Sequence, residues 1–179
     1  QQAYSSSSTF SKLGIAPALL GALAKLRYEV PTPIQEQAIP VAMQGNDIAG
    51  IAQPGTGNTL AFGIPMIQRL GQRKGRGLVV LPTRELALQV DEELRKVGGS
   101  LGLRTAVLIG GTSIGPQIAA LKKNPHVIVA TPGRLIDHIN QKTVTLDSVR
   151  IVVLDEADRM LDMGFAPQIE KIFRVIPRD

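Results

Sequence analysis

Short apolar runs alternate with longer amphipathic segments along most of the chain. Ile48–Ala52, Leu78–Leu81, Thr105–Ile109, Val127–Ala130 and Ile151–Leu154 are compact hydrophobic stretches of strand length. Near-continuous runs of this kind predict strands buried on both faces, as in a parallel sheet. Between them, helical spacing of apolar residues covers Leu13–Leu26, Pro33–Met43, Thr59–Leu70, Arg84–Val97, Ile114–Lys122, Pro132–Asn140 and Phe165–Val175. This alternation predicts an α/β fold, a mostly parallel sheet with helices on both faces and right-handed crossovers. Residues 1–9, QQAYSSSST, are polar and serine-rich and read as a flexible tail, leaving one domain over 10–179.

Parallel sheets bind ligands outside the carboxyl ends of their strands. All five predicted strands run there into polar or glycine-rich turns: Gln53-Pro54-Gly55-Thr56-Gly57-Asn58-Thr59, Pro82-Thr83-Arg84-Glu85, Gly110-Gly111-Thr112, Thr131-Pro132-Gly133-Arg134 and Asp155-Glu156-Ala157-Asp158. The first is nearly a phosphate-binding loop, in which backbone N–H groups and a helix N-terminus face phosphate oxygens. Thr59 is placed to put its hydroxyl on Mg²⁺, but Asn58 stands where that motif has lysine. The bland alternative is an ordinary strand-to-helix turn. Asp155-Glu156 after an apolar strand supports the functional reading, with Asp155 on Mg²⁺ and Glu156 on the attacking water; otherwise the pair is an acidic helix cap. Thr32-Pro33-Ile34-Gln35 reads equally as a capping box or as a glutamine amide set to pair with an adenine edge.

Thr83 and Thr131 have the position of helix N-caps, which puts Arg84 and Arg134 in first helical turns. A cation there opposes the helix dipole by about 0.3–1 kcal/mol, a cost that an anionic partner reverses. With Gly110-Gly111 on the same edge, these arginines suggest a track for a phosphate backbone. The alternative pairs Arg84 with Glu85 or Asp91, and Arg134 with Asp137. Arg69, Arg73, Lys74 and Arg76 read as a solvated surface run, and His126 and His138 as structural or exposed.

Composition narrows the classes. The 179 residues contain no cysteine and two histidines, which excludes disulfide frameworks, thiolate metal sites and a cysteine nucleophile. No apolar run approaches the ~20 residues of a membrane-spanning helix, and a cysteine-free domain fits a cytoplasmic location. The net charge of +5 permits a polyanionic partner. With aromatics at 3%, contacts to nucleic acid are expected mainly on its backbone, not on stacked bases.

Together, and in this order, the motifs resemble the DEAD-box family of ATP-dependent RNA helicases. The likeness is to the first of its two RecA-like P-loop NTPase domains, from Phe10 to about Ile176, and the run Leu154–Phe165 looks most like bacterial members. The resemblance implies that Phe10 packs on adenine and Gln35 reads its edge. It implies that Gln53, Gly55, Thr56, Gly57, Asn58 and Thr59 lie on the ATP phosphates, with Thr59 and Asp155 on Mg²⁺ and Glu156 catalytic. It places Arg84, Gly110, Gly111, Thr131, Gly133 and Arg134 along the RNA backbone and makes Asp158 a link to the second domain.

The departures are Arg27 where glycine is usual, Pro54 where threonine is usual, and Asn58 in place of lysine. Losing one charge-stabilising group commonly costs ~10²–10³ in rate, and here it should weaken ADP and ATP binding more than AMP binding. An alternative reading follows, a catalytically inactive module that holds nucleotide or RNA without turnover. A DNA helicase or P-loop kinase is disfavoured by the joint occurrence of the adenine-reading segment and Asp-Glu-Ala-Asp. The chain stops before the family's Ser-Ala-Thr motif and second domain. The expectation is therefore a slot in the sheet beside the Ile151–Leu154 strand and negligible hydrolysis by this chain alone.

Overall fold

The computed structural model describes residues 17–25, 58–72 and 74–177. The tail 1–9, Phe10, the Thr32–Gln35 segment, the helix Pro33–Met43, the strand Ile48–Ala52 and the loop Gln53–Gly57 lie outside the described residues, as do the side chains of Asn58 and Thr59.

The elements run α1 (Pro17–Lys25), α2 (Asn58–Gln72), β1 (Arg76–Val80), α3 (Arg84–Gly98), β2 (Thr105–Leu108), α4 (Ile114–Lys122), β3 (Val127–Ala130), α5 (Pro132–Asn140), β4 (Val149–Leu154), α6 (Ala157–Asp162) and α7 (Ala166–Val175). The described strands form one parallel sheet in the order β2-β3-β1-β4, with Leu78 of β1 level with Ile128 of β3 and Val152 of β4. The α/β architecture is as expected.

Alternation along β1 shows why both faces are covered. Val79 joins Ile64, Met66, Leu94 and Val97 in a core under α1, α2 and α3. Leu78 and Val80 join Leu121, Leu135, Met160 and Ile172 in a second core under α4 to α7. Each such fully buried side chain contributes about 1.5–3 kcal/mol. Gly77 allows the close approach of α2, because a Cβ there would stand 2.7 Å from Met66 Sδ.

The expectation of burial on both faces holds for β1 and β3, whose apolar residues are wholly buried. In β2 burial alternates, and from Ile151 to Leu154 β4 is only half-buried. These are the two outer strands of the described sheet, each with a single described neighbour to cover it. Because Ile48–Ala52 lies outside the described residues, the expected slot is not examined by this structure. The periodicity also missed α6, a short helix held by the burial of Met160. The basic run is no single loop: Arg69 lies in α2, and Arg76 opens β1 with its guanidinium on Asn124 Oδ1 (2.8 Å) and the Pro125 carbonyl (3.0 Å).

Candidate functional site

The carboxyl ends of the strands carry the chemistry. β1 leads into α3 on one face of the sheet, whereas its neighbour β3 leads into α5 on the other. Adjacent strands whose connections diverge open a crevice at their carboxyl ends. Arg84 and Arg134 stand in the first turns of the two diverging helices, and β2 delivers Gly110–Thr112 to the same edge.

The capping expectation holds in full for Thr83, whose hydroxyl accepts the Leu86 N–H at 3.3 Å. Thr131 has the extended backbone of a cap, but its side chain makes no capping bond. Arg84 is exposed, and among the described residues no carboxylate pairs with it. Asp91, one expected partner, is buried and held instead by Arg95 (2.9 Å) and the Thr105 hydroxyl. The Arg84 guanidinium lies against the glycine pair: a Cβ on Gly111, whose φ is +78°, would be 2.6 Å from its Nη1. A Cβ on Gly110 or Gly133 would meet nothing within 4 Å, so protein packing does not account for glycine at either position.

Arg134 stands on the other side of Gly110–Thr112. Its Nη1 donates to the Thr112 carbonyl (3.1 Å) and to Gln117 Oε1 (3.3 Å). Its Nε lies 3.5 Å from Asp137 Oδ2, so the ion pair that the alternative reading offered for Arg134 is present. The stretches around Arg84, Gly110-Gly111 and Arg134 are thus one contiguous surface, tied together through the Gly111–Thr112 backbone.

Asp155 follows β4, and its N–H donates to the Val80 carbonyl at 3.0 Å. Burial first, and then the neighbouring Glu156 carboxylate, push the Asp155 carboxyl up to about 6. Glu156 adopts a left-handed conformation (φ 57°, ψ 47°) at the start of α6, which costs a non-glycine residue roughly 1–2 kcal/mol. Its Oε1 is 3.8 Å from Arg159 Nη1, while Oε2 is buried without a hydrogen-bond partner. Two adjacent half-buried carboxyl groups, of which Glu156 carries both the backbone strain and the buried, orphaned oxygen, are suited to a cation or an ordered water. Among the described residues no group of three or more His, Cys, Asp or Glu side chains could hold a metal alone. Asp158 is exposed in the first turn of α6.

Sequence reasoning passed over Gln117, while His138, read as structural or exposed, proves structural and completely buried. Gln117 Nε2 donates to the Ile109 carbonyl (2.8 Å) and Thr112 Oγ1 (3.2 Å), and its Oε1 lies 2.8 Å from His138 Nε2. The available signal was positional. Gln117 shares a helical stripe with Ile114 and Leu121, and His138 shares one with Leu135, so both sit where a core side chain belongs.

The sequence profile described as DEAD/DEAH box helicase matches residues 32–179. The chain belongs to the DEAD/DEAH box helicase family. This helicase-family chain is 48% identical over 174 residues to an ATP-dependent rRNA helicase, RRP3, of Gibberella zeae, covering 96% of the chain and 36% of the relative. It is 51% identical over 171 residues to the DEAD-box ATP-dependent RNA helicase CshA of Bacillus cereus, covering 94% and 33%. The likeness is therefore spread over fungal and bacterial relatives. The fold matches the crystal structure of a DEAD box protein from the hyperthermophile Methanococcus jannaschii, with a TM-score of 0.88 at 40% identity over 96% of this chain and 48% of that one. The helicase-family chain spans about a third of the length of these curated relatives. Among its described residues, no helix is long and apolar enough to cross a membrane.

Proposed function

We propose that the chain is the N-terminal, ATP-binding RecA-like domain of a cytoplasmic ATP-dependent RNA helicase, which acts with a second RecA-like domain on RNA duplexes. The observation that carries this reading is the contiguity of Arg84, Gly110–Thr112 and Arg134 beside a strained, partly orphaned Asp155-Glu156 pair. The exposed Arg84 guanidinium, the partly covered Arg134 and the glycine backbone suit phosphate oxygens, with Thr131 and Gly133 on the same rim. Such contacts position a strand without reading its bases.

In this reading Phe10 and Gln35 hold adenine, Gln53, Gly55, Thr56, Gly57, Asn58 and Thr59 face the phosphates, and Asp158 meets the second domain. Thr59 and Asp155 would hold Mg²⁺, which when bound supplies charge neutralisation at the phosphates. Glu156 Oε2, buried and unpaired, is the atom fitted to orient a water and take its proton. In this reading hydrolysis and unwinding need both RecA-like domains, and a first domain by itself hydrolyses ATP negligibly and does not unwind RNA.

The test is binding of a fluorescent single-stranded RNA at several salt concentrations, beside Arg84→Ala and Arg134→Ala. Each neutralised phosphate contact contributes about 0.7 to the salt slope on a single strand. The slope should fall by about that much in each variant, with affinity weakened alike for all sequences. Unchanged binding in both variants would remove the track. A second reading, a scaffold that binds without turnover, is favoured by Asn58. It predicts that Asn58→Lys leaves ATP hydrolysis by the full-length protein at zero.

A further inference from the structure

Beneath the proposed RNA track lies a chain of buried polar contacts that none of the sequence motifs includes. Its centre is the Gln117 amide, whose orientation is set by its neighbours. The Ile109 carbonyl, 2.8 Å away, can only accept, so it must face the NH₂ group. The Arg134 guanidinium, 3.3 Å away, can only donate, so it must face Oε1. His138 Nε2 lies 2.8 Å from that same oxygen and therefore carries a hydrogen. Burial, and then the Arg134 cation, lower the pKa of His138 and keep the ring neutral, with Asp137 opposing. In a neutral ring the Nδ1 lone pair is left to accept, so the single hydrogen of the Thr143 hydroxyl goes to Nδ1 at 2.7 Å in preference to the His138 carbonyl at 3.2 Å.

Each end of the amide holds a different part of the edge. The NH₂ end spans the loop, reaching the Ile109 carbonyl and Thr112 Oγ1. The oxygen end receives Arg134, which also donates to the Thr112 carbonyl. Turned over, the amide would set NH₂ against both Arg134 and the His138 N–H and leave the Ile109 carbonyl facing oxygen. In the tautomer present, His138 joins the Ile109 carbonyl and Arg134 in opposing that inversion.

We propose that Gln117 and His138 are positioning residues for the RNA track, His138 locking the amide of Gln117 so that the amide fixes Arg134 and the Ile109–Thr112 loop relative to one another. The functional half of this inference rests on the reading of that edge as an RNA site; the structural half does not.

The experiment uses the 179-residue chain labelled with ¹⁵N and ¹³C, with no RNA in its first arm. At pH 7.5 the His138 ring should show a protonated Nε2 and an unprotonated Nδ1. An Nδ1–H or charged ring overturns the proposal without any variant having to fold. His138→Leu should shift and broaden the Arg134 Nε–H and the Gly111 and Thr112 amides. His138→Gln, which can return a donor to Gln117 Oε1, should restore them. Unmoved signals in His138→Leu, or equal disturbance in both variants, would refute the lock.

The second arm measures affinity for a fluorescent oligouridylate. His138→Leu should lose about 3–10-fold, the range for one supporting hydrogen bond, and His138→Gln should stay within about twofold of the unsubstituted chain. Equal affinity in all three chains overturns the functional half. Absence of binding by the unsubstituted chain instead sinks the RNA reading, a failure distinct from that of the tautomer and the Arg134 signals.

Discussion

At the scale of single residues, Asp155 and Glu156 give up stability. Asp155 is raised from 3.8 to about 6 by burial and by Glu156. Between those pH values the folded chain holds this proton more firmly than the unfolded chain does. Stability from this group is therefore greatest below pH 4, falls as the pH rises towards 6, and stays low above it. Asp155→Asn should remove the loss. At pH 7.5 it should stabilise the nucleotide-free chain by about 1–2 kcal/mol, because solvent still screens part of the group. The melting temperature should rise by about 2–6 °C and converge with the parent near pH 4. A variant that melts lower at pH 7.5 would show that the carboxylate is better accommodated than its burial implies. Neither the strain at Glu156 nor the orphaned Oε2 could be read from Leu-Asp-Glu-Ala-Asp, since the surrounding fold, not the local residue preference, sets a left-handed glutamate.

At the scale of elements, much was legible. β1 and β3 came from continuous apolar runs, and α3, α4 and α5 from apolar spacing joined to Thr-Pro and Pro-Thr turn chemistry. Convergence of Arg84, Gly110-Gly111 and Arg134 followed from one rule, that parallel strands share a carboxyl edge. Which side chains then touch was not legible. Asp91 turned inward to Arg95 and Thr105, and Gln117 and His138 met across two helices 21 residues apart in sequence. Gly111 tests the arrangement of these elements. In Gly111→Ala, a Cβ at φ +78° carries strain of about 1–2 kcal/mol and displaces the Arg84 guanidinium, 2.6 Å from it. The expected outcome is a melting temperature lowered by about 2–6 °C and RNA affinity lowered severalfold. Gly110→Ala, with open space around its Cβ, should melt like the parent and lose affinity only through blocked approach of the backbone. Normal RNA binding by both variants would mean that the phosphate strand does not cross the glycine pair.

At the scale of the whole molecule, the domain presents a carboxyl edge whose parts hold one another in place, and the proposed function puts nucleotide selectivity on Asn58 at the head of α2. Asn58 is the first residue of a helix of 15 residues whose N-terminal dipole already favours anions. Backbone and dipole can attract a phosphate without lysine, but a neutral, shorter side chain adds no charge for the outer phosphates. The chain should therefore discriminate poorly among AMP, ADP and ATP–Mg²⁺ in calorimetric titration, and Asn58→Lys should restore a graded preference of about tenfold or more for the di- and triphosphate, in keeping with a charge-assisted hydrogen bond. If ADP already binds tenfold more tightly than AMP with asparagine in place, the backbone cradle suffices. Residue 58 would then not be what limits catalysis. If no nucleotide binds either chain, the adenine pocket itself needs the second domain.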